Sequence, residues 1–150
     1  MQKERIAVGG LIEKLMDLSE REGEVGAITT FIGRVRGTEE TRQVNELFLE
    51  HYPLMTEKKI KEIVFNASKK FSINGCIVVH RTGKLLPGEL IVFVGVTSRH
   101  RKETFEACSY VMDFLKTEAP FWKKEKDSKG EKWIRSRDTD YLARDTWLEK

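Results

Sequence analysis

The sequence predicts an α+β domain in which two main helices pack on a sheet and a hairpin follows near the C-terminus. Three observations lead to this fold class. Apolar residues recur at helical spacing in two long segments, one after Thr56 and one after Arg101. The runs Ile73 to His80 and Leu90 to Val96 have the length and composition of buried strands. Two short runs flank the polar stretch 127–130, a pattern typical of a hairpin.

The first third of the chain is predicted to hold a short helix between two strands. Arg5 to Val8 has the composition of a short strand. Apolar side chains between Leu11 and Leu18 fall on one face of a helix that ends before Gly23. The β-branched segment Val25 to Val35 then predicts a strand.

The next segment predicts a strand and the first main helix. Gly37 to Arg42 is polar and is expected to be mobile, whereas Val44 to Tyr52 alternates apolar with polar residues and predicts a strand that Pro53 ends. Thr56 is a candidate N-cap. The helix that follows carries its apolar face on Ile60, Ile63, Val64, Ala67 and Phe71.

The second half of the chain predicts the sheet core and the second main helix. Turn-forming residues between 83 and 88 join the two apolar runs, so we expect the two strands to be neighbours. Arg101 to Ala119 predicts a helix, and Phe121 to Glu125 and Lys132 to Ile134 predict the hairpin. The tail after Arg137 is charged and shows no clear pattern. The apolar stripe of the second helix is formed by Phe105, Cys108, Met112 and Leu115.

Length and composition indicate a globular chain in one domain, 1–150, with a basic balance. Its 150 residues suffice for one core, and 39% apolar with 34% charged residues do not favour disorder. The net charge of +3 favours a small anionic ligand or an acidic protein partner over a long nucleic-acid track. Cys76 and Cys108 are predicted to be reduced core residues, with a redox pair as the alternative. The start of the chain lacks the pattern of a signal peptide, which favours the cytoplasm.

Positive charge concentrates where the second main helix begins. Arg99, His100, Arg101 and Lys102 follow directly after Ser98, a candidate N-cap. A helix N-terminus carries roughly +0.5 of an elementary charge, so cations there cost about 0.3–1 kcal/mol each unless an anion binds. The cluster therefore predicts an anion site, with a solvated basic turn as the alternative.

Other basic residues also lie at the ends of predicted elements, where loops present side chains to a cleft. Arg36 suits bidentate binding of a phosphate, and His100 suits proton transfer near neutral pH. Lys116 and Lys123 bracket a tight corner, so mutual repulsion is expected to lower at least one of their pKa values. The full set is Arg34, Arg36, His100, Arg101, Lys116, Lys123 and Lys124.

The spacing along the second helix has a consequence for assembly. Arg101 and Lys116 are fifteen residues apart, or roughly 22 Å along a helix axis. The two side chains of one helix therefore cannot both contact the same small substrate. We expect a two-fold dimer in which each pocket takes the helix start from one subunit and the Lys116 corner from the other. The alternative is that the basic residues at the two ends of the helix do not belong to a common site.

Five ordered blocks resemble the catalytic large subunit of molybdopterin synthase. The resemblance runs from about Val25 to Arg137, and the N-terminal helix and the C-terminal tail lie outside it. The blocks are Gly26 to Arg36, Leu49 to Pro53, His80 to Gly83, Val92 to Ser98 with His100 and Arg101, and Met112 to Lys123.

The resemblance implies an α/β hammerhead-type fold with a mostly antiparallel sheet and a sulfurtransferase of molybdenum cofactor biosynthesis. Such an enzyme converts cyclic pyranopterin monophosphate (precursor Z) to molybdopterin. It takes two dithiolene sulfurs from the C-terminal Gly-Gly thiocarboxylate of a small ubiquitin-like subunit. The large subunits form a homodimer within a heterotetramer, and no metal ion or other cofactor is implied. Because the sulfur comes from the partner, neither cysteine is expected to be essential.

The resemblance also implies roles for individual residues. Lys116 and Lys123 are the expected catalytic residues, with Lys116 as the principal acid/base or electrostatic group. Arg34 stands where some relatives have lysine, which keeps the charge but changes the geometry. The substrate-binding set is Arg34, Val35, Arg36, His100, Arg101, Lys116, Lys123, Lys124, Glu125 and Arg137, with Phe31 and Met112 as the apolar wall.

Two further functions stay open on the sequence alone. A domain that binds RNA or another polyanion could stack bases on Phe121, Trp122 and Trp133, although the net charge is modest and no nucleic-acid motif is present. An inactive paralogue could act as a scaffold for the small subunit. The presence of His100, Arg101, Lys116 and Lys123 favours the enzyme over this scaffold.

Overall fold

The computed structural model describes residues 1–18 and 23–149, and it confirms the α+β class, the two main helices and the C-terminal hairpin. The elements are α1 (Val8–Met16), β1 (Ala27–Arg34), β2 (Thr38–Glu39), β3 (Arg42–Gln43), β4 (Glu46–His51), α2 (Pro53–Lys70), β5 (Gly75–His80), β6 (Gly83–Leu85), β7 (Leu90–Ser98), α3 (Arg101–Thr117), β8 (Phe121–Asp127), β9 (Gly130–Ile134) and α4 (Asp138–Asp145).

The strands form two sheets and a small ribbon, all with antiparallel pairing. One sheet has the order β1-β7-β5, the other has the order β6-β4-β8-β9, and β2 pairs with β3. The two apolar runs of the sequence are neighbours, as predicted, since Cys76 of β5 pairs with Val96 of β7. Eight of the nine residues of β7 are buried.

Both faces of β7 are covered, which explains its uninterrupted apolar sequence. Val94 packs in the main core with residues of α2 and α3, whereas Phe93 points to the other face and packs with Leu15 of α1. Gly95 permits the close approach of α1, because a Cβ at that position would lie 2.3 Å from Leu15 Cδ1. The strand therefore fixes a helix on each side of its sheet.

Several predicted boundaries in the N-terminal half are wrong. Arg5 to Val8 is not a strand, and α1 already begins at Val8. Helix α2 begins at Pro53 with Tyr52 as its N-cap, so Thr56 lies inside the helix. The Thr56 hydroxyl instead donates a hydrogen bond to the carbonyl of Pro120, 3.2 Å away. Proline suits the first helical turn because that turn does not need its N–H.

Other differences lie in the polar segments and on one helix face. The segment predicted to be mobile contains the ribbon β2–β3, the turn-rich connection contains β6, and the charged tail forms α4. Phe105 is not part of the core stripe of α3, since 62% of it is exposed.

The two cysteines are free thiols packed in or against the main core, as predicted. Burial raises the pKa of Cys76 to about 12 and that of Cys108 to about 11. Both therefore remain protonated near neutral pH, which makes them poor nucleophiles. Among the described residues, no helix combines the length and the apolar character that crossing a membrane requires.

We expect Leu15→Ala to lower the free energy of unfolding by about 2–5 kcal/mol, because it opens a cavity in the cluster that joins α1 to β7. The matched control is Met16→Ala on the same helix. Met16 is 54% exposed, so its loss should change stability by less than about 0.5 kcal/mol. Urea denaturation followed by circular dichroism measures both, and equal losses would contradict the predicted packing of α1.

Candidate functional site

A cleft of about 1370 Å³ lies where the end of β1, the C-terminal end of α3, strand β8 and the start of α4 meet. It brings together most of the residues that the sequence singled out, from segments far apart in the chain. Those that line it are Phe31, Arg34, Val35, Arg36, Met112, Lys116, Lys123, Glu125 and Arg137.

The end of β1 supplies the arginines of one wall. The strand pairing shifts between Gly33 and Arg34, and the Arg34 side chain is held by a hydrogen bond of 3.0 Å from its Nε to the carbonyl of Gly88. Val35 is buried, and its backbone N–H donates to the carbonyl of Glu89 at 2.9 Å. Arg36 follows where the chain leaves the sheet, with its guanidinium largely exposed.

The opposite wall contains the two lysines. Lys116 lies in the last turn of α3, with its ammonium 3.9 Å from the carboxylate of Asp140, and Lys123 lies on β8. Burial lowers the pKa of Lys123, and repulsion from Lys116 lowers it further. Asp140 and Glu125 oppose this shift without reversing it. The predicted lowering of at least one lysine pKa is therefore confirmed.

Carboxylates that the sequence analysis did not single out hold the cations in place. Glu39 on the ribbon forms ion pairs with Arg36, at 2.8 Å, and with Arg137. Asp140 accepts a hydrogen bond from the backbone N–H of Arg137 at 3.1 Å, besides its contact with Lys116. The charged residues Glu39, Glu40 and Arg42 of the ribbon were the available signal, but a polar segment of this kind usually indicates a loop.

The ribbon itself is fixed to β8 by a pair of ionic contacts. Arg42 contacts Glu125, and its guanidinium lies 3.1 Å from the carboxylate of Asp127. Both carboxylates lie on the strand that carries Lys123. The ribbon is thus joined to the same wall that holds the half-buried Lys123.

His80 is a further lining residue that the sequence analysis did not propose for the site. It is buried, its ring stacks on Phe121 with centroids 4.2 Å apart, and its Nδ1 lies 2.8 Å from the carbonyl of Arg81. Burial is the largest cause that lowers its pKa to about 4, and the positive charge of Lys123 adds to it. The imidazole is therefore neutral near neutral pH, and it adds no positive charge beside Lys123.

Three predicted site residues do not line this cleft. His100 is the N-cap of α3 and Arg101 is its first residue, so both lie at the far end of the helix from Lys116, roughly 22 Å away. Ser98 is not the N-cap, and its hydroxyl donates to the carbonyl of Ser72 at 2.7 Å.

Lys124 points away because successive residues of a strand face opposite sides of the sheet. Its ammonium lies 2.7 Å from the carboxylate of Glu131 and stands over the rings of Phe48 and Trp133, at 5.8 and 5.6 Å from their centroids. Lys123 and Lys124 therefore occupy different environments despite being adjacent.

Of the three aromatic residues proposed as a base-stacking surface, Phe121 lies on the opposite face of β8 from Trp122 and Trp133. Phe121 stacks on the buried His80, and Trp122 makes an edge contact with Tyr52, with centroids 4.9 Å apart. The two side chains thus lie against different neighbours on opposite sides of β8.

Within the described parts of the chain, no three His, Cys, Asp or Glu side chains come together as a metal site would require. The arginines and lysines that line the cleft suit it to an anion.

Comparison with known proteins gives matches over most of the chain. Residues 1–118 match the family model described as "MoaE protein". The chain is 47% identical over 151 residues to the molybdopterin synthase catalytic subunit of Yersinia pestis, covering 98% of this chain and 99% of that protein.

Solved structures also match this chain over most of its length, and they share its fold. The molybdopterin biosynthesis MoaE protein from Burkholderia ambifaria superposes with a TM-score of 0.81 at 39% identity, covering 98% of this chain and 95% of that one. A complex of subunits 1 and 2 of the molybdopterin-converting factor from Helicobacter pylori gives a TM-score of 0.70 at 18% identity, covering 91% of this chain and 89% of that one. The second likeness concerns the fold alone.

Replacing Lys116 with glutamine is expected to raise the pKa of Lys123, because removing a nearby positive charge makes protonation easier. The matched control is Lys61→Gln, at an exposed position of α2. The pKa follows from a pH titration of the Lys123 Cε chemical shift in lysine-labelled protein. The same Lys123 titration in the wild type and in Lys116→Gln would contradict the electrostatic coupling.

Proposed function

This chain belongs to the MoaE protein family, and we propose that it is the catalytic subunit of a molybdopterin synthase that converts cyclic pyranopterin monophosphate to molybdopterin. The observation that carries the proposal is the half-buried Lys123, with a lowered pKa, beside Lys116 in a cleft lined by arginines. Such a site suits a reaction in which anions must be held while protons move.

The cyclic phosphate of the substrate is proposed to bind the arginines of the cleft. Arg36 and Arg137 approach from opposite walls and already meet at one carboxylate, Glu39. Guanidinium groups form strong, paired hydrogen bonds with phosphate oxygens. Arg34 adds charge beside them, although its Nε is engaged by the carbonyl of Gly88.

The sulfur donor is proposed to be the thiocarboxylate at the C-terminus of a small ubiquitin-like subunit. The complex of two subunits from Helicobacter pylori offers a precedent for such an assembly in a protein of the same fold. The cleft of about 1370 Å³ exceeds the roughly 300–1,000 Å³ typical of a small-molecule pocket. This volume supports simultaneous entry of the pterin and an extended peptide tail.

Lys116 and Lys123 are proposed to have different roles in the sulfur-transfer reaction. The thiocarboxylate sulfur forms a bond to a carbon of the pterin side chain, and an oxygen leaves that carbon with its electron pair. Water then hydrolyses the acyl carbon–sulfur bond, so that the sulfur stays on the pterin and the C-terminus of the small subunit leaves as a carboxylate. Lys116, beside Asp140, holds the anionic sulfur and stabilises the negative charge on the departing oxygen. Lys123 has the lowered pKa, so it releases a proton to that oxygen more readily than an ordinary lysine.

A complete site is proposed to need two copies of the chain. His100 and Arg101 lie at the far end of α3 from Lys116, so one rigid helix cannot bring all of these groups to one substrate. A two-fold dimer would bring the start of α3 of one subunit to the cleft of the other. With a small subunit bound at each cleft, the assembly is a heterotetramer.

We expect Lys116→Ala to lower the rate of molybdopterin formation by about 100-fold or more, because general acid–base and electrostatic groups contribute on that scale. The assay mixes the chain with cyclic pyranopterin monophosphate and a thiocarboxylated small subunit, and it detects the product as its oxidised fluorescent derivative. The matched control is Lys126→Ala, at an exposed position of the same strand as Lys123. Sulfur transfer by Lys116→Ala at the wild-type rate would contradict the catalytic role of Lys116. No product from a folded wild-type complex would overturn the proposed function.

Mixing two inactive variants tests the shared site. Chains carrying Lys116→Ala and chains carrying Arg101→Ala are refolded together, so that half of the dimers contain one chain of each kind. In a shared site each mixed dimer has one intact pocket and one doubly mutated pocket, and the mixture is expected to recover about a quarter of the wild-type activity. Activity no higher than that of the separate variants would instead show that each pocket belongs to one chain.

A further inference from the structure

We propose that Glu39 is a built-in anion that occupies the phosphate subsite of the cleft in the free chain and is displaced when an anionic ligand binds. The identity of the natural ligand rests on the proposed function. The role of Glu39 as a competing anion rests on the geometry of the cleft. Glu39 would therefore set how tightly the cleft binds anions, without taking part in the chemistry.

The carboxylate of Glu39 lies between two arginines from opposite sides of the cleft. Its Oε2 is 2.8 Å from Nη2 of Arg36, and its Oε1 contacts Nη2 of Arg137, which is 98 positions away in sequence. Only 21% of the Glu39 side chain is exposed, whereas the arginines keep 67% and 59% of theirs exposed. The two guanidinium groups thus converge on one anion that the chain itself supplies.

Two other carboxylates of the cleft, Asp140 and Glu125, are engaged elsewhere in the site. Asp140 contacts Lys116 and caps the start of α4, and Glu125 pairs with Arg42. Glu39 is therefore the carboxylate that a ligand must replace in order to reach both arginines. An anion with several oxygens matches the two guanidinium groups better than a single carboxylate does.

The ribbon that carries Glu39 is built so that it can move separately from the sheets. It consists of two residue pairs, Thr38 with Gln43 and Glu39 with Arg42, and it belongs to neither sheet. A two-stranded ribbon of this size is only marginally stable by itself. Arg42 anchors β3 to β8, whereas the Glu39 carboxylate is engaged by the exposed side chains of Arg36 and Arg137, so exchanging it for a ligand anion does not require the walls of the cleft to move.

The test compares Glu39→Gln with Glu40→Gln, because both remove one negative charge from the same turn. Glu40 also lines the cleft, but among the described residues no ion pair joins it to another side chain. Isothermal titration with inorganic phosphate, at fixed ionic strength and with the full chain, measures the affinity. We expect Glu39→Gln to bind phosphate about three- to ten-fold more tightly than the wild type, and Glu40→Gln to stay within about two-fold.

Several outcomes would overturn the proposal. Glu39→Gln that binds phosphate no better than the wild type would mean that Glu39 does not compete for the subsite. An equal gain in Glu40→Gln would mean that net charge alone is responsible.

Glu39→Ala, checked for an unchanged thermal midpoint, provides a second variant with the same expected gain. Adding Arg36→Gln to Glu39→Gln is expected to abolish the gain, since it removes half of the subsite.

The synthase assay separates this proposal from the proposed function. If the wild type makes molybdopterin, Glu39→Gln is expected to lower KM for the pterin by a similar three- to ten-fold, with kcat nearly unchanged. A fall in kcat with KM unchanged would instead place Glu39 in the chemistry and contradict the proposal. If the wild type makes no product, the proposed function fails, and the phosphate titration still decides the role of Glu39.

Discussion

The burial of β7 on both faces is the constraint on which the rest of the structure depends. Because Phe93 faces α1 and Val94 faces the main core with α2 and α3, the strand fixes the position of both layers. It also holds β1 along one edge, from Ala27 to Arg34, and so determines where the arginines of the cleft begin. The arginine wall of the site is thus positioned by the apolar contacts of the sheet that carries it.

The cleft concentrates positive charge at a cost in stability. Burial lowers the pKa of Lys123, so below its folded pKa the native state carries the full penalty of a charged, desolvated ammonium. Between the folded and the unfolded pKa the unfolded chain binds more protons, and this residue makes stability rise with pH. Glu39 and Asp140 offset the repulsion among the cations. Functional sites often break the rules that stabilise the rest of a fold.

The parts of the fold that could be predicted are those that local patterns determine. Helix α3, the strands β5 and β7, and the hairpin β8–β9 follow from periodicity and turn composition, because their partners are near in sequence or their burial is complete. The ribbon β2–β3 could not be predicted, because the contacts from Arg42 to Asp127 and from Glu39 to Arg137 join residues more than eighty positions apart. Phe105 also fits the helical stripe, yet no local pattern shows that the fold leaves this position uncovered.

For the site, the sequence identified most of the cations, but of the carboxylates that hold them it singled out only Glu125. Basic residues at the ends of elements stand out because charge there is unfavourable without a ligand, whereas an acidic residue in a polar segment is ordinary. The exposed cluster from Arg99 to Lys102 still lacks any described acidic partner, while Arg36 and Arg137 share Glu39. The two ends of α3 therefore differ within the described structure: Lys116 at the C-terminal end faces the carboxylate of Asp140, whereas the basic residues at the N-terminal end are exposed.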